Sequence, residues 1–468
     1  MKKAFTSKGL GTWLILCVCL VSCSSLKAPE GQWLARIPYP DITYRMVLEN
    51  KASQPRLFNV SFKRYDVPMK KIFFKDDKVY FRFGEFFTEF KGTYDRNNNT
   101  IKGSWTTEDR VRIPVTFEQV NADTVFGMNP RTSKEYNYSP PKKYADQWPV
   151  SSIERQSVDG PLIDSLSYAI IKEKYPDVHS LLIARNDSLV YEEYFYTYKS
   201  QFRQNIQSVT KSFVSALAGI ALENGEIKNI NDPLCGYLAD YKELVCNDQN
   251  KSITLHQVLS MSTGLEWDEA THDYGDPRNN LSHKGDPFKH LFTRRRSTQP
   301  VFTYNSLNHS TMNAVLKSAT GLDNSTEMTS RLLAPLGISS YFLGKEDYGV
   351  LGDIELTPRD MMKLGQLYLQ KGKWNGRGIV PQSWVKESTS SKIAAKPELG
   401  YGYFWWTRDF DWKGKVVKSF FAWGYGGQYI FVVPDVQLVI TLTGSHWTTD
   451  PKNHVMEMIQ NYVIPACN

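Results

Sequence analysis

The feature that most constrains the fold is a serine-x-x-lysine motif, Ser208 to Lys211, that opens a long apolar stretch. The stretch runs through residues 212–222 and is followed by Asn224 and Gly225, which are typical of a helix end. Residues three apart on a helix share one face, so the Lys211 amine can reach the Ser208 hydroxyl and take its proton. A helix this apolar lies in a core, where burial favours the uncharged form of lysine. The motif therefore predicts a serine nucleophile that is activated without histidine.

Context separates this motif from three other serine-x-x-lysine matches in the chain. The match at Ser24 lies beside a predicted lipid anchor, and the match at Ser139 contains two prolines that prevent a helix. The match at Ser383 begins a helix that soon runs into a polar stretch, which indicates a surface position. Only Ser208 begins a long apolar helix. A serine that merely caps a core helix is the alternative interpretation.

The N-terminus predicts secretion and a lipid anchor. Lysines precede an apolar run at residues 13–21, which is too short to span a bilayer and is typical of a signal peptide, residues 1–22. Cys23 and the three residues before it resemble the lipobox of bacterial lipoproteins, in which the cysteine is lipidated and becomes the first mature residue. We therefore expect Cys23 to anchor the protein to a membrane of the bacterial cell envelope, facing the periplasm. A plain signal peptide that contains a cysteine is the alternative.

Composition and charge argue against several classes of function. Cleavage after residue 22 removes three lysines and no acidic residue, which lowers the formal net charge from +7 to +4, too little to indicate nucleic-acid binding. The eight histidines show no metal-binding spacing, so we predict no metal and no cofactor. Cys235 and Cys246 are close enough in sequence to form a disulfide in an oxidising compartment, but the sequence alone leaves their pairing open.

Hydrophobic periodicity divides the mature chain into two domains. Residues 33–125 alternate between short strands and turns, which predicts a small all-β barrel or sandwich after a tether at 23–32. Residues 126–158 are polar and contain prolines, as expected of a linker. In residues 159–468 strands flank a long helical region, which predicts an α/β domain with one antiparallel sheet and an inserted helical subdomain. The active site is expected between the sheet and this subdomain.

Four phrases of the second domain stand in the order found in one superfamily of hydrolases. They are residues 207–212 (QSVTKS), 253–265 (ITLHQVLSMSTGL), 357–360 (TPRD) and 400–406 (GYGYFWW). On these phrases the domain resembles the serine hydrolases that include class C β-lactamases, penicillin-binding DD-peptidases and related esterases, with the strongest resemblance to the 6-aminohexanoate-dimer hydrolase branch. The resemblance implies a β-lactamase/transpeptidase-like fold. The all-β module in turn resembles a small domain that precedes some of these hydrolases.

The same resemblance assigns a second motif at residues 302–306, which read FTYNS. The usual tyrosine-x-asparagine is tyrosine-x-serine here, a form that the 6-aminohexanoate-dimer hydrolase branch also shows, so Tyr304 inherits the role of proton acceptor and donor. A phenol beside Lys211 would have its ionised form stabilised, which suits transfer of the Ser208 proton. Ser306 would hydrogen-bond Lys211 or the substrate. An ordinary core tyrosine is the alternative.

The third motif departs from the superfamily. Its relatives carry lysine-threonine-glycine or histidine-x-glycine, whereas residues 422–428 read AWGYGGQ, without a cation or an imidazole. In penicillin-binding relatives that lysine helps to hold the substrate carboxylate, so its absence weakens the β-lactamase and DD-peptidase interpretations. The resemblance still implies an oxyanion hole built from the amides of Ser208 and Tyr425, with Gly424 allowing the backbones to approach closely.

These residues together predict a serine hydrolase that acts through an acyl-enzyme on a small ester or amide. A penicillin-binding DD-peptidase or β-lactamase is the enzyme alternative, and a non-catalytic binding protein of the cell envelope is the alternative from another class. Residues 266–289 form an acidic loop that is expected to overhang the cleft. The loop would favour an amine-bearing substrate, or it would simply be a solvated face.

Overall fold

The computed structural model forms two compact units, one built from the first eight strands and the other from residues 136–467. The predicted signal peptide and Cys23 lie outside the described residues, as does residue range 126–135 of the predicted linker. The structure describes residues 29–39, 42–51, 54–59, 69–75, 77–83, 89–106, 110–120, 136, 138–172, 174–195, 198–269, 286–297, 299, 301–345, 351–445 and 452–467.

The N-terminal unit is one antiparallel sheet of eight strands, which confirms the prediction of an all-β region. The strands pair in the order β3-β2-β1-β8-β7-β6-β5-β4, so most neighbours are hairpins and only β1 and β8 are distant in sequence. The strands are β1 (Gly31–Tyr39), β2 (Ile42–Lys51), β3 (Gln54–Asn59), β4 (Met69–Lys75), β5 (Lys78–Phe83), β6 (Glu89–Asp95), β7 (Thr100–Thr106) and β8 (Arg112–Gln119).

Aromatic side chains fill the core of this unit. The Phe90 ring packs 4.9 Å from the centre of the Phe81 ring and 5.1 Å from that of Phe117. Gly92 and Gly103 face each other across β6 and β7, and a Cβ on either would lie 2.6 Å from the Phe90 ring. Glycine is required at both positions because the ring occupies the space above them.

The second unit carries helices between its strands. No helix among the residues that the structure describes is long and apolar enough to cross a membrane. The helices are α1 (Gly160–Ile171), α2 (Thr210–Glu223), α3 (Lys242–Val245), α4 (Leu255–Leu259), α5 (Pro287–Phe292), α6 (Leu307–Thr320), α7 (Asn324–Met328), α8 (Pro358–Leu369), α9 (Gln382–Ser388), α10 (Lys452–Met458) and α11 (Ile464–Ala466). The strands are β9 (Val178–Arg185), β10 (Ser188–Tyr194), β11 (Gln204–Asn205), β12 (Tyr341–Lys345), β13 (Leu351–Leu356), β14 (Lys373–Trp374), β15 (Arg377–Gly378), β16 (Ile393–Lys396), β17 (Leu399–Tyr401), β18 (Trp406–Trp412), β19 (Lys415–Gly424), β20 (Gln428–Val433) and β21 (Leu438–Gly444).

Strands from both ends of this unit join one antiparallel sheet, as the sequence predicted. The sheet order is β10-β9-β21-β20-β19-β18-β17-β16, so β9 from the beginning of the unit pairs with β21 from its end. The β9–β10 hairpin turns at Asn186 and Asp187, which both have positive φ and so match the twist of a two-residue turn. The helical region from α2 to α7 is therefore inserted between the two halves of the sheet.

The serine-x-x-lysine helix is buried along nearly its whole length. Every residue of α2 from Thr210 to Ala221 is buried, and the helix ends before Gly225, whose φ is 72°. A Cβ at Gly219 would lie 2.2 Å from the Trp384 ring of α9, so α9 packs tightly against α2. Ser383 and Lys386 of the same short helix are exposed, which agrees with their predicted surface position.

The end of the predicted linker is an integral part of the second unit. Arg359 of α8 donates to Glu192 at 2.8 Å, to Asp146 at 2.8 Å and to the carbonyl of Lys142 at 2.7 Å. Trp148 is buried, and its indole N–H donates to the Arg359 carbonyl at 3.0 Å. Residues 138–158 are polar in composition, but buried Arg359 and buried Trp148 fix this segment in place.

Cys235 and Cys246 form a disulfide, with their Cα atoms 5.0 Å apart. The bond closes a short loop that ends with α3. Such a cross-link limits the freedom of the unfolded chain and is typical of proteins that fold in an oxidising compartment.

Candidate active site

Ser208 lies in a tight turn that leads directly into α2. One turn of 3-10 helix spans Gln207–Val209, and the α-helix begins at Thr210. Gln207 has a φ of 51°, which is uncommon for a residue with a side chain, and its amide donates to Asn205 Oδ1 at 2.7 Å. The turn thus fixes the half-buried Ser208 at the start of the helix.

Lys211 follows on the first turn of α2 and reaches back to Ser208. Its Nζ lies 3.0 Å from Ser208 Oγ and donates a hydrogen bond to it. Lys211 is only 6% exposed, and its Nζ lies 5.3 Å from the centre of the Tyr304 ring. The structure therefore brings together all three residues that the sequence singled out for proton transfer and attack.

Tyr304 is held in place by the phrase at residues 253–265 and by an aromatic neighbour. The Thr303 amide donates to the Met261 carbonyl at 2.8 Å, so the phrase at residues 253–265 supports the tyrosine. The Tyr304 ring stacks on Trp406, with ring centres 6.0 Å apart and an angle of 17° between the planes. Its ring is thus fixed by a tryptophan and a buried cation.

Ser306 hydrogen-bonds a carboxylate rather than Lys211. Its hydroxyl donates to Glu269 Oε1, and its amide donates to Glu269 Oε2 at 3.1 Å. The Trp267 indole donates to the same Oε2 atom at 2.7 Å. The sequence placed Glu269 in the acidic loop but did not predict these hydrogen bonds. Residues 270–285 of that loop lie outside the described residues.

Gly424 lets the end of β19 touch the turn that carries Ser208. A Cβ at Gly424 would lie 2.5 Å from the carbonyl oxygen of Ile206 and 3.0 Å from Gln207 Cβ, so no other residue fits without a shift of the backbone. Gln428 fixes the following turn, because its Nε2 donates to the Gly444 carbonyl at 2.7 Å. The side chain of Tyr425, in this turn, is 59% exposed. The two segments predicted to supply the oxyanion hole are therefore in contact.

His309 is a buried residue of the site that the sequence did not single out. Its Nε2 lies 3.1 Å from Asn313 Nδ2, which can only donate, so this nitrogen accepts. Burial and then the charge of Lys211 lower the pKa of His309 to about 3, so the ring is neutral at physiological pH. A signal was present, because His309 lies three residues after Ser306 at the start of a helix and thus on the same face.

A group of packed rings, here called the aromatic wall, extends the site beyond Tyr304. Trp406 lies 4.8 Å from Tyr401 and 5.3 Å from Trp423, and Phe302 lies 5.2 Å from Tyr401, measured between ring centres. The phrase at residues 400–406 supplies two of these rings, and their hydrophobic character was visible in the sequence. The contact between Trp406 and Tyr304 could not be predicted from the sequence, because it joins segments far apart along the chain.

The arrangement places a serine hydroxyl, a lysine amine and a tyrosine ring together, beside a close approach of two backbones. Within the described parts of the chain, no group of three or more His, Cys, Asp or Glu side chains could hold a metal ion. A serine-x-x-lysine helix beside an antiparallel sheet, with helices inserted between the sheet's halves, defines the β-lactamase/transpeptidase-like class of fold.

The chain belongs to the Beta-lactamase family, whose model matches residues 178–460, more than half of its length. This match confirms both the predicted family and the predicted fold.

Known relatives agree with this assignment. The chain is 22% identical over 344 residues to the 6-aminohexanoate-dimer hydrolase of Paenarthrobacter ureafaciens, which covers 65% of this chain and 84% of that protein. A solved structure of a candidate 6-aminohexanoate-dimer hydrolase from Bacillus anthracis has a TM-score of 0.53 and 21% identity, covering 62% of this chain and 79% of that one. A candidate beta-lactamase from Bacteroides dorei has a TM-score of 0.50 and 17% identity, covering 61% of this chain and 90% of that one. These two structures share the fold.

Proposed function

We propose that this protein is a serine hydrolase that cleaves a small ester or amide through an acyl-enzyme, with Ser208, Lys211 and Tyr304 as its catalytic residues. The observation that carries the proposal is the 3.0 Å hydrogen bond between Lys211 Nζ and Ser208 Oγ, made at the start of a buried helix and beside the Tyr304 ring. A hydroxyl within hydrogen-bond reach of a base is the signature of an activated nucleophile.

In the proposed first step Ser208 Oγ attacks the substrate carbonyl while its proton passes to Lys211 or Tyr304. The amides of Ser208 and Tyr425 stabilise the oxyanion, and the stored proton then goes to the leaving alcohol or amine as its bond to carbon breaks. In the second step water attacks the acyl carbon and the same groups accept its proton. The bond from this carbon to Ser208 Oγ then breaks, Oγ takes the proton back, and the acid is released. The proposed proton transfer requires Lys211 to give up its own proton before the attack.

The neutral state of His309 supports this assignment. The ring stands near Lys211 without a positive charge of its own, so it lines the buried side of the site without competing for the Ser208 proton. Because its pKa is about 3, we assign the proton transfers to the amine and the phenol.

A penicillin-binding peptidase or β-lactamase is the second candidate, and the match to the Beta-lactamase family favours it. Residues 422–424 (AWG) carry no cation where the resemblance places the lysine of penicillin-binding relatives, which is why the ester or amide substrate is preferred. Stable acylation of Ser208 by a labelled penicillin, or rapid hydrolysis of a cephalosporin reporter, would reverse this preference.

Intact-mass spectrometry with a fluorophosphonate tests the proposal directly. A soluble form of the protein that lacks residues 1–23 should gain one adduct, and its Ser208→Ala variant should gain none. A folded parent protein that gains no adduct would instead support a non-catalytic binding protein. Adducts on both proteins would assign the nucleophile to another serine.

We also propose that the mature protein is a lipoprotein of the cell envelope, anchored through Cys23. The lipobox-like residues before Cys23 and the Cys235–Cys246 disulfide support this location. Metabolic labelling with an alkyne fatty acid should modify the full-length protein but not its Cys23→Ser variant. Equal labelling of the two, or none, would contradict the anchor.

A further inference from the structure

The aromatic wall leads from Tyr304 to an exposed cation. Tyr304 stacks on Trp406, Trp406 packs against Trp423, and Lys396 Nζ lies 5.7 Å from the centre of the Trp423 ring. Trp423 directly precedes Gly424, which touches the turn before Ser208. A path of packed rings therefore connects the proposed catalytic residues to the Lys396 ammonium group.

Lys396 differs from the other cations at this edge of the sheet. Lys392 pairs with Glu387, and Arg408 pairs with Glu398 at 2.8 Å. Lys396 is exposed on β16, and within the described residues its ammonium group forms no ion pair. Its ammonium group lies over the face of Trp423, which is itself only half-buried.

We propose that Lys396 and Trp423 form a subsite for a carboxylate at the far end of the substrate, so that the enzyme prefers esters or amides with an apolar body and an anionic end. The proposal rests on the proposed hydrolase function. An ammonium group held over an indole can bind a carboxylate on its solvent side, while the ring contacts the methylene groups next to that carboxylate. Trp406 is only 5% exposed and packs behind Trp423 and Tyr304, so the half-buried rings of these two residues would provide the apolar contact.

A second lysine and tryptophan in the same sheet provide a matched control. Lys413 Nζ lies 4.8 Å from the centre of the Trp412 ring, so the local geometry resembles that of Lys396 and Trp423. Trp412 pairs with Lys415 at the turn between β18 and β19, which is the opposite end of the hairpin from Gly424. Removal of Lys413 changes the net charge equally but does not alter the proposed subsite.

The test compares an anionic and a neutral substrate of nearly the same size: mono-4-nitrophenyl adipate, with a free carboxylate, and its methyl ester. For each protein the measured quantity is the ratio of kcat/KM for the anionic ester to kcat/KM for the neutral ester. We expect Lys396→Gln to lower this ratio about two- to fivefold, as expected for one exposed ion pair. Lys413→Gln should leave it unchanged, and Lys396→Arg should restore most of it.

Salt provides a second measurement on the same substrates. The preference for the anionic ester should decrease as sodium chloride rises from about 20 to 500 mM, and Lys396→Gln should remove that dependence. An equal ratio in the parent protein and both glutamine variants would overturn the subsite while leaving the hydrolase intact. A parent protein that cleaves neither ester and takes up no fluorophosphonate would overturn the proposed function, and the subsite with it.

Discussion

Two buried cations in the second unit show how similar residues serve different ends. Arg359 is 3% exposed and donates to two carboxylates and a carbonyl, whereas Lys211 is 6% exposed and donates to the hydroxyl of Ser208 beside an aromatic ring. A buried cation surrounded by carboxylates neutralises charge and joins segments of the chain. A buried cation that faces a hydroxyl can exchange a proton with it. The comparison separates a structural site from the proposed catalytic one, and mutations should affect the two in opposite ways.

The largest expected effect is on catalysis, from Lys211→Met. Removing the base from a unit of mutually dependent groups should lower kcat/KM for a neutral 4-nitrophenyl ester by about 10,000-fold or more. The unfolding free energy should not fall, because an apolar side chain replaces a buried charge. Steady-state kinetics and urea denaturation measure the two quantities.

Lys363→Met is the matched control for Lys211→Met. Lys363 is also buried, and its Nζ lies 2.8 Å from Asp360 Oδ1. This variant should lose stability but keep the kcat/KM of its folded fraction. If Lys211→Met retained activity within tenfold of the parent protein, Lys211 would not be the base.

The next effect is on stability, from Arg359→Met. The change leaves Glu192 and Asp146 without their buried cation and should lower the free energy of unfolding by about 3 to 5 kcal/mol. Fluorophosphonate labelling per folded molecule should be unchanged. A stable variant that labels poorly would place Arg359 with the proposed catalytic site and remove the contrast with Lys211.

Gly424→Ala tests the contact between the backbone of β19 and the turn that carries Ser208. The new Cβ would clash with the Ile206 carbonyl at 2.5 Å and push β19 away from the Ser208 turn. Loss of one oxyanion donor lowers kcat by about a hundred- to a thousandfold. Gly378→Ala is the control, because nothing lies within 4 Å of its added Cβ. Equal activity of the two variants would argue against an oxyanion hole at Tyr425.

Local sequence patterns predicted the residues of the site that act within one segment. Ser208 and Lys211 share a helix turn, and the prediction of one sheet closed by the two ends of the domain followed from the alternation of strands around helices. Glu269 and Lys396 could not be assigned in this way, because Ser306 and Trp423, which they contact, lie on distant segments. The composition of residues 138–158 indicated a linker, and only the buried Arg359 and Trp148 reveal that the segment is packed.

Glu327 contrasts with Arg359, because it is a buried carboxylate whose nearest cation, Arg331, is paired with another residue. Glu327 is 0% exposed and neither oxygen has a hydrogen-bond partner, while Arg331, 3.9 Å away, is bound by Glu226 at 2.7 Å. Burial raises the pKa of Glu327 to about 7 from 4.5, with the nearby charges of Arg331 and Glu226 acting in opposite directions. The folded protein therefore holds this proton more tightly than the unfolded chain does.

Glu327 should consequently make the protein less stable as the pH rises. Its contribution is fully present below about pH 4.5 and is lost as the pH passes through 7, a change of about 3 kcal/mol for a pKa shift of this size. Glu327→Gln should remove this part of the dependence of stability on pH. The free energy of unfolding of the variant, relative to that of the parent protein, should therefore be higher at pH 8 than at pH 5. Urea denaturation at the two pH values measures the difference. If the stability of the two proteins changed with pH in the same way, Arg331 would neutralise Glu327 despite its pairing with Glu226. Glu327 would then resemble the carboxylates that are paired with Arg359.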